Sequence, residues 1–330
     1  MISYFFITLI IINFLIIYYF SSYSKFINII DKPDSIRKFH TQDTIILGGT
    51  IFYFNLIISF FYILLFSNIP EVLFLSKKNF FIFFICLSLI FLIGIFDDKY
   101  NLSPNKKFLL LTCVISFLVF QNFRIENINV SFYKNISLGN FEIFFTIFCF
   151  IVFMNAFNML DGINLQCGLY FSYILFFLFL KGLPIELFFL LLISNFTYLY
   201  LNFKNKVFLG DSGTLLVSFL VSYFMIQSFN IDKITYSDEI LLILLIPGLE
   251  MIRLTFERIK RGVNFLYADR EHMHHIFQRK FNTNLAIIIG QVILMFPYIF
   301  SLIIGNNLIS ILLSIFLYLF VIFFFRQSIV

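Results

Sequence analysis

Charge is scarce in this 330-residue chain. Asp, Glu, Lys and Arg make up 12% of it, against roughly 25% in an ordinary soluble domain. Meanwhile 61% of the residues are hydrophobic and the mean hydropathy is +0.97. A soluble fold could not bury that much apolar surface, so the composition excludes one and makes lipid the solvent. Cysteine is scarce as well. Cys86, Cys113, Cys149 and Cys167 lie in or beside apolar stretches without metal-ligand spacing, which argues for small core positions and against a disulfide framework. No repeat with a period of about 20–50 residues is visible, which sets solenoids aside. There is no Walker A lysine, no G-x-G-x-x-G and no H-E-x-x-H. Nothing in the chain points to nucleic acid.

What is present is a string of apolar segments. A spanning helix needs about 20 mostly apolar residues. Spans are expected near 2–20, 48–67, 80–96, 108–121, 141–157, 165–181, 185–201, 213–229, 240–256, 286–304 and 307–325, eleven in all, with 108–121 the shortest. The first has no basic run before it and no small-residue cleavage site, so it is expected to be an anchor and not a removed signal peptide. The expected fold is an all-α integral membrane protein, with residues 1–330 forming a single polytopic domain. Lys and Arg orient it: with the loop after the first span in the cytoplasm, 17 of the 23 lie on the cytoplasmic side. The N-terminus is then outside and the C-terminus inside.

That topology puts all four histidines, and nearly every unusual polar cluster, on the cytoplasmic face. The clusters are DKPDSIRKFH (31–40), GIFDDKYNLSPNKK (94–107), NAFNMLDGIN (155–164), FLGDSGT (208–214) and RIKRGVNFLYADREHMHHIF (258–277). The opposite side carries little comparable, although FRIENINVSFYKNISLGNF (123–141) reads as a small strand pair. An active site built from cytoplasmic loops is the expectation.

Each cluster has a bland and a chemical reading. Asp97 and Asp98 end an apolar helix, where the macrodipole favours cations. Solvation beside Lys99 would explain them, and so would a carboxylate pair acting as base or cation ligand. Lys107 is either a snorkelling interface lysine or a phosphate partner. Asn155, Asn158 and Asp161, three apart, share a face if their helix continues. A turn accounts for Asp161-Gly162, and Asn164 follows in it. Asp211, between glycines, suits an N-cap and equally a Mg²⁺–diphosphate site at a helix N-terminus. His272, His274 and His275 are too closely spaced for an ordinary zinc triad. Beside Arg270 they suit phosphate better, with a polar loop as the plain alternative. Together these parts suggest Mg²⁺-assisted phosphoryl transfer to a lipid acceptor.

In order and in sidedness, these stretches resemble the polyprenyl-phosphate N-acetylhexosamine-1-phosphate transferase family, of the glycosyltransferase family 4 type. The resemblance runs from about residue 31 to 277. DKPDSIRKFH with Gly48-Gly49 resembles the family's R-K-x-H…GG segment. The Asp97-Asp98 pair with Lys107 resembles its acidic pair and downstream lysine. NAFNMLDGIN, FLGDSG and ERIKRG…DREHMHH resemble N-A-x-N-x-x-D-G, F-M-G-D-x-G-S and R-x-x-x-G…D-x-x-H-x-H-H. The resemblance implies transfer of a sugar 1-phosphate from a UDP-sugar to polyprenyl phosphate with release of UMP. The expected donor is UDP-GlcNAc, the acceptor undecaprenyl phosphate, and the role initiation of cell-envelope polysaccharide such as O-antigen. The expected cofactor is Mg²⁺, with Mn²⁺ as a substitute, and the expected place is the bacterial inner membrane, with a homodimer compatible.

The resemblance further implies Asp211 as the main metal ligand with Asn158 assisting, Asp97 as base with Asp98 beside it, and Lys107 on a phosphate. It puts Asn155, Asp161 and Asn164 on the substrate, the last two near the uridine, and the three histidines on the nucleotide or its phosphates. The chain departs from the pattern at Gln42–Ile45, Leu165-Gln166, Glu250 (usually Asp) and the spacing of Asn202. The peptidoglycan branch, using UDP-MurNAc-pentapeptide, is the second reading. A transporter is the alternative from another class, disfavoured because its coupling residues would lie near the midplane. An inactive scaffold is disfavoured because Asp97, Asp98 and Asp211 are all present.

Overall fold

A computed structural model describes residues 2–23, 29–31, 44–68, 73–262 and 271–327. Most of the DKPDSIRKFH stretch, with Asp269 and Arg270, lies outside these residues. The described residues are 77% helical. Among them, twelve helices of six residues or more organise the chain: α1 (Ile2–Tyr18), α2 (Gly48–Phe66), α3 (Lys77–Tyr100), α4 (Pro104–Phe120), α5 (Glu142–Asn158), α6 (Gln166–Leu180), α7 (Ile185–Phe203), α8 (Gly210–Asn230), α9 (Ser237–Lys260), α10 (Met273–Gln278), α11 (Thr283–Ile304) and α12 (Asn307–Gln327). Each of the eleven apolar segments forms one of the long helices.

Among the described residues, seven of the helices are both long and apolar enough to cross a membrane. The apolar parts of α1 and α6 are shorter, α4 has 17 residues, and α9 carries charges along its length. Ser103-Pro104 explains a difference at α4. Proline at the first helical position is favourable because its missing N–H would be unpaired there anyway. The helix therefore begins at Pro104 and not near 108, and Lys107 lies in its first turn.

The middle of the bundle is α8, 94% buried over its central window, packed against α2, α3 and α5. The last helix is peripheral, 28% buried, and exposes Phe316, Phe320, Phe323 and Phe324. Such a ring-covered face suits hydrocarbon and not water. Inside, Asn13 and Asn55 exchange amide hydrogen bonds of 2.7 and 3.0 Å, and Thr197 donates to Asn13 Oδ1 at 2.8 Å. These bonds join α1, α2 and α7, polar glue of the kind that fixes helix pairing in an apolar interior.

Small strands finish the architecture. β1 (Ile30–Asp31) pairs antiparallel with β2 (Thr44–Ile46). β3 (Asn127–Ile128) pairs antiparallel with β4 (Ile136–Ser137), the strand pair expected within 123–141. β5 (Val207–Phe208) pairs parallel with β2. That parallel pairing brings Gly48-Gly49 onto the entry to α8. A Cβ on Gly49 would lie 2.5 Å from Gly213 N, and one on Gly94 would lie 2.4 Å from Ser212 Cα. Any larger residue at either position would push α2 or α3 off the first turn of α8.

Candidate active site

The site forms where the end of α3, the starts of α4 and α8, the turn after α5 and helix α10 meet. Asn101 closes α3 in the left-handed conformation, φ 50°. Asp97 Oδ1 accepts from Leu102 N at 2.8 Å, tightening the same turn. The chain therefore doubles back at once, and Lys107 comes over the carboxylates. Its ammonium lies 2.7 Å from Asp97 Oδ2 and donates to Asp211 Oδ1 at 2.6 Å. Three residues from separate stretches thus meet around one cation. Asp97 is buried and Asp211 half-buried.

Asp98 is turned to a different partner. Its two oxygens accept the N–H groups of Asp211 (2.7 Å) and Ser212 (3.0 Å). Leu209, at the N-cap of α8, has no side-chain cap of its own. Asp98 supplies that cap from α3, satisfying orphan amides and complementing the helix dipole. Gly210, φ 72°, leaves room for it, since a Cβ there would lie 2.9 Å from both Asp98 oxygens. Asp98 is thereby placed to hold Asp211 in position.

The turn after α5 contributes next. The helix stops at Asn158, so Asp161 does not continue its face. Single-turn bonds carry the chain onward, with Asp161 N donating to Asn158 O at 3.2 Å. Asn158 Oδ1 accepts from Thr214 Oγ1 at 2.7 Å, tying α5 to α8 beside Asp211. Asp161 lies at the Gly210 amide and the Cys167 thiol. Burial, with the Asp211 and Asp98 carboxylates nearby, pushes its carboxyl up to about 7. Asn155 donates back to Ile151 O at 2.8 Å in its own helix. Asn164 joins a different cluster, with Asn205 (2.5 Å) and Asn202 (3.2 Å). Asn202 is buried; it accepts from Leu165 N at 2.6 Å and donates to Val207 O at 2.7 Å, so it braces the turn against β5.

The histidines are not in an open loop. His272 precedes α10, and His274 and His275 lie on it, both buried. Ring centroids are 5.3 Å apart for His272–His274 and 4.2 Å for His274–His275. His274 is pressed against Gly162, where a Cβ would meet its Nε2 at 1.8 Å. This contact joins the D-G turn to the imidazoles. His274 Nε2 has no hydrogen-bond partner among the described residues. Burial, then the neighbouring His275 and His272, holds its pKa well below the usual imidazole value. At neutral pH it offers a neutral hydrogen-bonding nitrogen and not a cation.

Among the described residues, no three His, Cys, Asp or Glu side chains converge closely enough to hold a metal unaided. Magnesium does not require that. It usually takes one or two protein carboxylates, with water and substrate phosphate completing its shell. Asp97 and Asp211 share one ammonium, while Asp98 and Asp161 rest on amide donors. The cluster is short of positive charge, and its donors are hard oxygens. Both features fit such a cation at Asp211 with Asn158 beside it.

Sequence reasoning did not find Thr214 as the partner of Asn158. It gave no role to the Glu250–Arg253 pair that carries α10.

The raised carboxyl of Asp161 has a measurable consequence. A carboxyl whose folded value lies above its unfolded value, about 3.9, favours folding below that lower value and loses the advantage as pH rises through about 7. Cation-free, nucleotide-free protein is expected to melt progressively earlier over that range. Asp161→Asn should flatten the decline by at most about 4 kcal/mol. Melting curves by circular dichroism from pH 4 to 8 check this, and parallel curves for both proteins would remove it.

Residues 80–229 match Glycosyl transferase family 4. This stretch holds both acids of the pair, Lys107, the turn after α5 and Asp211. Among curated proteins, an Escherichia coli O157:H7 protein named "Undecaprenyl-phosphate alpha-N-acetylglucosaminyl 1-phosphate transferase" is 27% identical over 280 residues. The match covers 80% of this chain and 73% of the relative. A Yersinia pestis protein of the same name is 26% identical over 272 residues, covering 77% and 70%. Both matches are long enough to take in the acidic cluster, and this multi-pass membrane chain is similar, over residues 80–229, to glycosyl transferase family 4.

Proposed function

We propose that this protein transfers GlcNAc 1-phosphate from UDP-GlcNAc to undecaprenyl phosphate and releases UMP, at the cytoplasmic face of a bacterial inner membrane. The observation that carries the reading is the ammonium of Lys107 between Asp97 and Asp211, at the membrane-helix ends that Asp98 and Thr214 fasten together. The relatives' names support the reaction type, and the excess of Lys and Arg in the loops on this side supports the orientation, with eleven spans.

In this reading a phosphate oxygen of the lipid attacks the sugar-linked phosphorus of the donor. A new P–O bond forms, the bond to the nucleotide's phosphate breaks, and UMP leaves with that oxygen. Such reactions need positioning and charge stabilisation more than covalent help from the protein. Asp97 takes any proton still on the lipid phosphate. Lys107 exchanges a carboxylate partner for a phosphate oxygen as substrate arrives. Asp98 keeps Asp211 and the α8 amides fixed. His274 presents a neutral nitrogen to the nucleotide, with His272 and His275 around it, and Asp161 and Asn164 lie toward the uridine. Asp211, with Asn158, would hold Mg²⁺, which when bound would neutralise charge on the diphosphate.

The test is UMP release by detergent-purified protein with undecaprenyl phosphate, Mg²⁺ and a panel of UDP-sugars. Release is expected with UDP-GlcNAc and to require lipid and cation. His274→Ala and His275→Ala are each expected to lower it by about 10²-fold or more while the melting curve stays cooperative. Release only with UDP-MurNAc-pentapeptide would move the chain to the peptidoglycan branch. Near-normal turnover in both histidine variants would return those residues to packing.

A further inference from the structure

Beyond the reacting groups, a chain of buried and half-buried charges runs from the middle of α9 to the end of α12 and stops on the imidazole segment. Glu250, Arg253 and Glu257 share one face of α9. Arg253 donates to both Glu250 oxygens, at 3.1 and 2.7 Å, and to Glu257 Oε1 at 2.9 Å. Tyr318 of α12 donates to Glu250 Oε2 and accepts from Arg253 Nε at 3.1 Å. Arg326 of α12 closes the far end as a fork on Glu257, at 2.6 and 2.9 Å, and reaches Glu271 Oε2 at 3.3 Å. Glu250 and Tyr318 are almost completely buried.

Buried ion networks are weak sources of stability, because desolvation offsets their attraction, and a common return is a fixed geometry. The geometry fixed here is identifiable. Glu250 Oε1 accepts from Met273 N at 2.6 Å, and Arg253 Nη2 donates to Glu271 O at 2.6 Å. These two backbone bonds bracket His272 and supply the N-terminal cap that α10 lacks, since His272 makes no side-chain cap bond. Phe325 meets Phe277 of α10 edge-on at 5.6 Å. A six-residue helix cannot fix its own orientation; α11 and α12 pack against it, and α9, braced by α12, supplies the polar bonds that hold its start.

We propose that Tyr318 and Arg326 of the last helix, acting through Glu250, Arg253 and Glu257, are positioning residues for nucleotide recognition: they hold the His272–His275 segment against the Gly162 turn. The proposal rests on the function proposed above for its kinetic arm only. The last helix, peripheral and lipid-facing along most of its length, is thereby part of the binding site's support.

The experiment compares full-length wild type with Tyr318→Phe, Arg326→Ala and Arg326→Lys. Amide exchange over 273–278 is followed by mass spectrometry, and KM and kcat for UDP-GlcNAc by UMP release. Tyr318→Phe and Arg326→Ala are expected to speed exchange in that segment and to raise KM about tenfold or more with kcat little changed, because a shift near 1 Å in a binding group costs that much or more. Melting temperatures should stay close to wild type, and Arg326→Lys should recover part of the loss. Unchanged exchange over 273–278, or exchange that rises everywhere together with a lower melting temperature, would overturn the proposal. If the wild type turns over no donor, the functional reading fails, while the exchange comparison still decides whether α12 holds the imidazoles.

Discussion

Asp211→Asn is expected to reduce UMP release by about 10³-fold, the scale seen when a group that stabilises transition-state charge is removed, while the protein still folds. The substitution keeps the side chain's shape and removes its charge. Lys107 then loses one of its two carboxylates and stays paired with Asp97 at 2.7 Å. The backbone of α8 remains capped by Asp98; the weaker dipole interaction costs about 0.3–1 kcal/mol, and the lost Lys107 pair is offset in part by relief of the repulsion from Asp97 and Asp98. The informative measurement is a Mg²⁺ titration of turnover beside a melting curve. A residual rate saturating only at much higher Mg²⁺ would mark Asp211 as a cation ligand. A rate reduced equally at all Mg²⁺ concentrations would instead mark it as the partner that orients Lys107. More than a tenth of wild-type turnover at ordinary Mg²⁺ would remove Asp211 from the chemistry.

The helices were legible because lipid makes a simple demand: every backbone polar group must be satisfied within its own segment. That demand leaves long apolar runs between polar loops, and each of the eleven runs is a helix. The acids were legible too, because a carboxylate at the end of an apolar helix is costly without a partner. What could not be read was which partner each acid takes. Asp97 and Asp98 are adjacent in sequence, yet on a helix neighbours point about 100° apart. One faces Lys107 and the other faces the amides of α8. The β2–β5 pairing, two residues in register, carries no local signal, although it is what sets Gly48-Gly49 against the Asp211 turn. Asn155 and Asn158 looked equivalent by spacing. Only Asn158 has α8 opposite it, and Asn155 falls back on its own helix. The Glu250–Tyr318 contact spans 68 residues and joins two helices, and the sequence showed it only as a departure from the usual Asp.

Gly162→Ala is expected to lower kcat/KM by about 10²-fold, as a displacement near 1 Å can. Gly162 does not have a positive φ, so alanine suits the backbone, and the turn is exposed. A loss of activity would therefore not come from strain in the turn. The new Cβ would lie 1.8 Å from His274 Nε2, which no real pair of atoms tolerates. The ring must move, and it is buried at 2% exposure with His275 at 4.2 Å and His272 at 5.3 Å, so the three imidazoles shift together. Gly248→Ala, whose Cβ would meet nothing within 4 Å, is the control and should be close to neutral. Additivity separates this steric account from a general weakening. If displacement of His274 is the whole cause, Gly162→Ala added to His274→Ala should cost little more than His274→Ala alone, because the atom it collides with is gone. A full further 10²-fold loss in the double variant would mean that Gly162 serves the substrate directly, through space that the methyl fills.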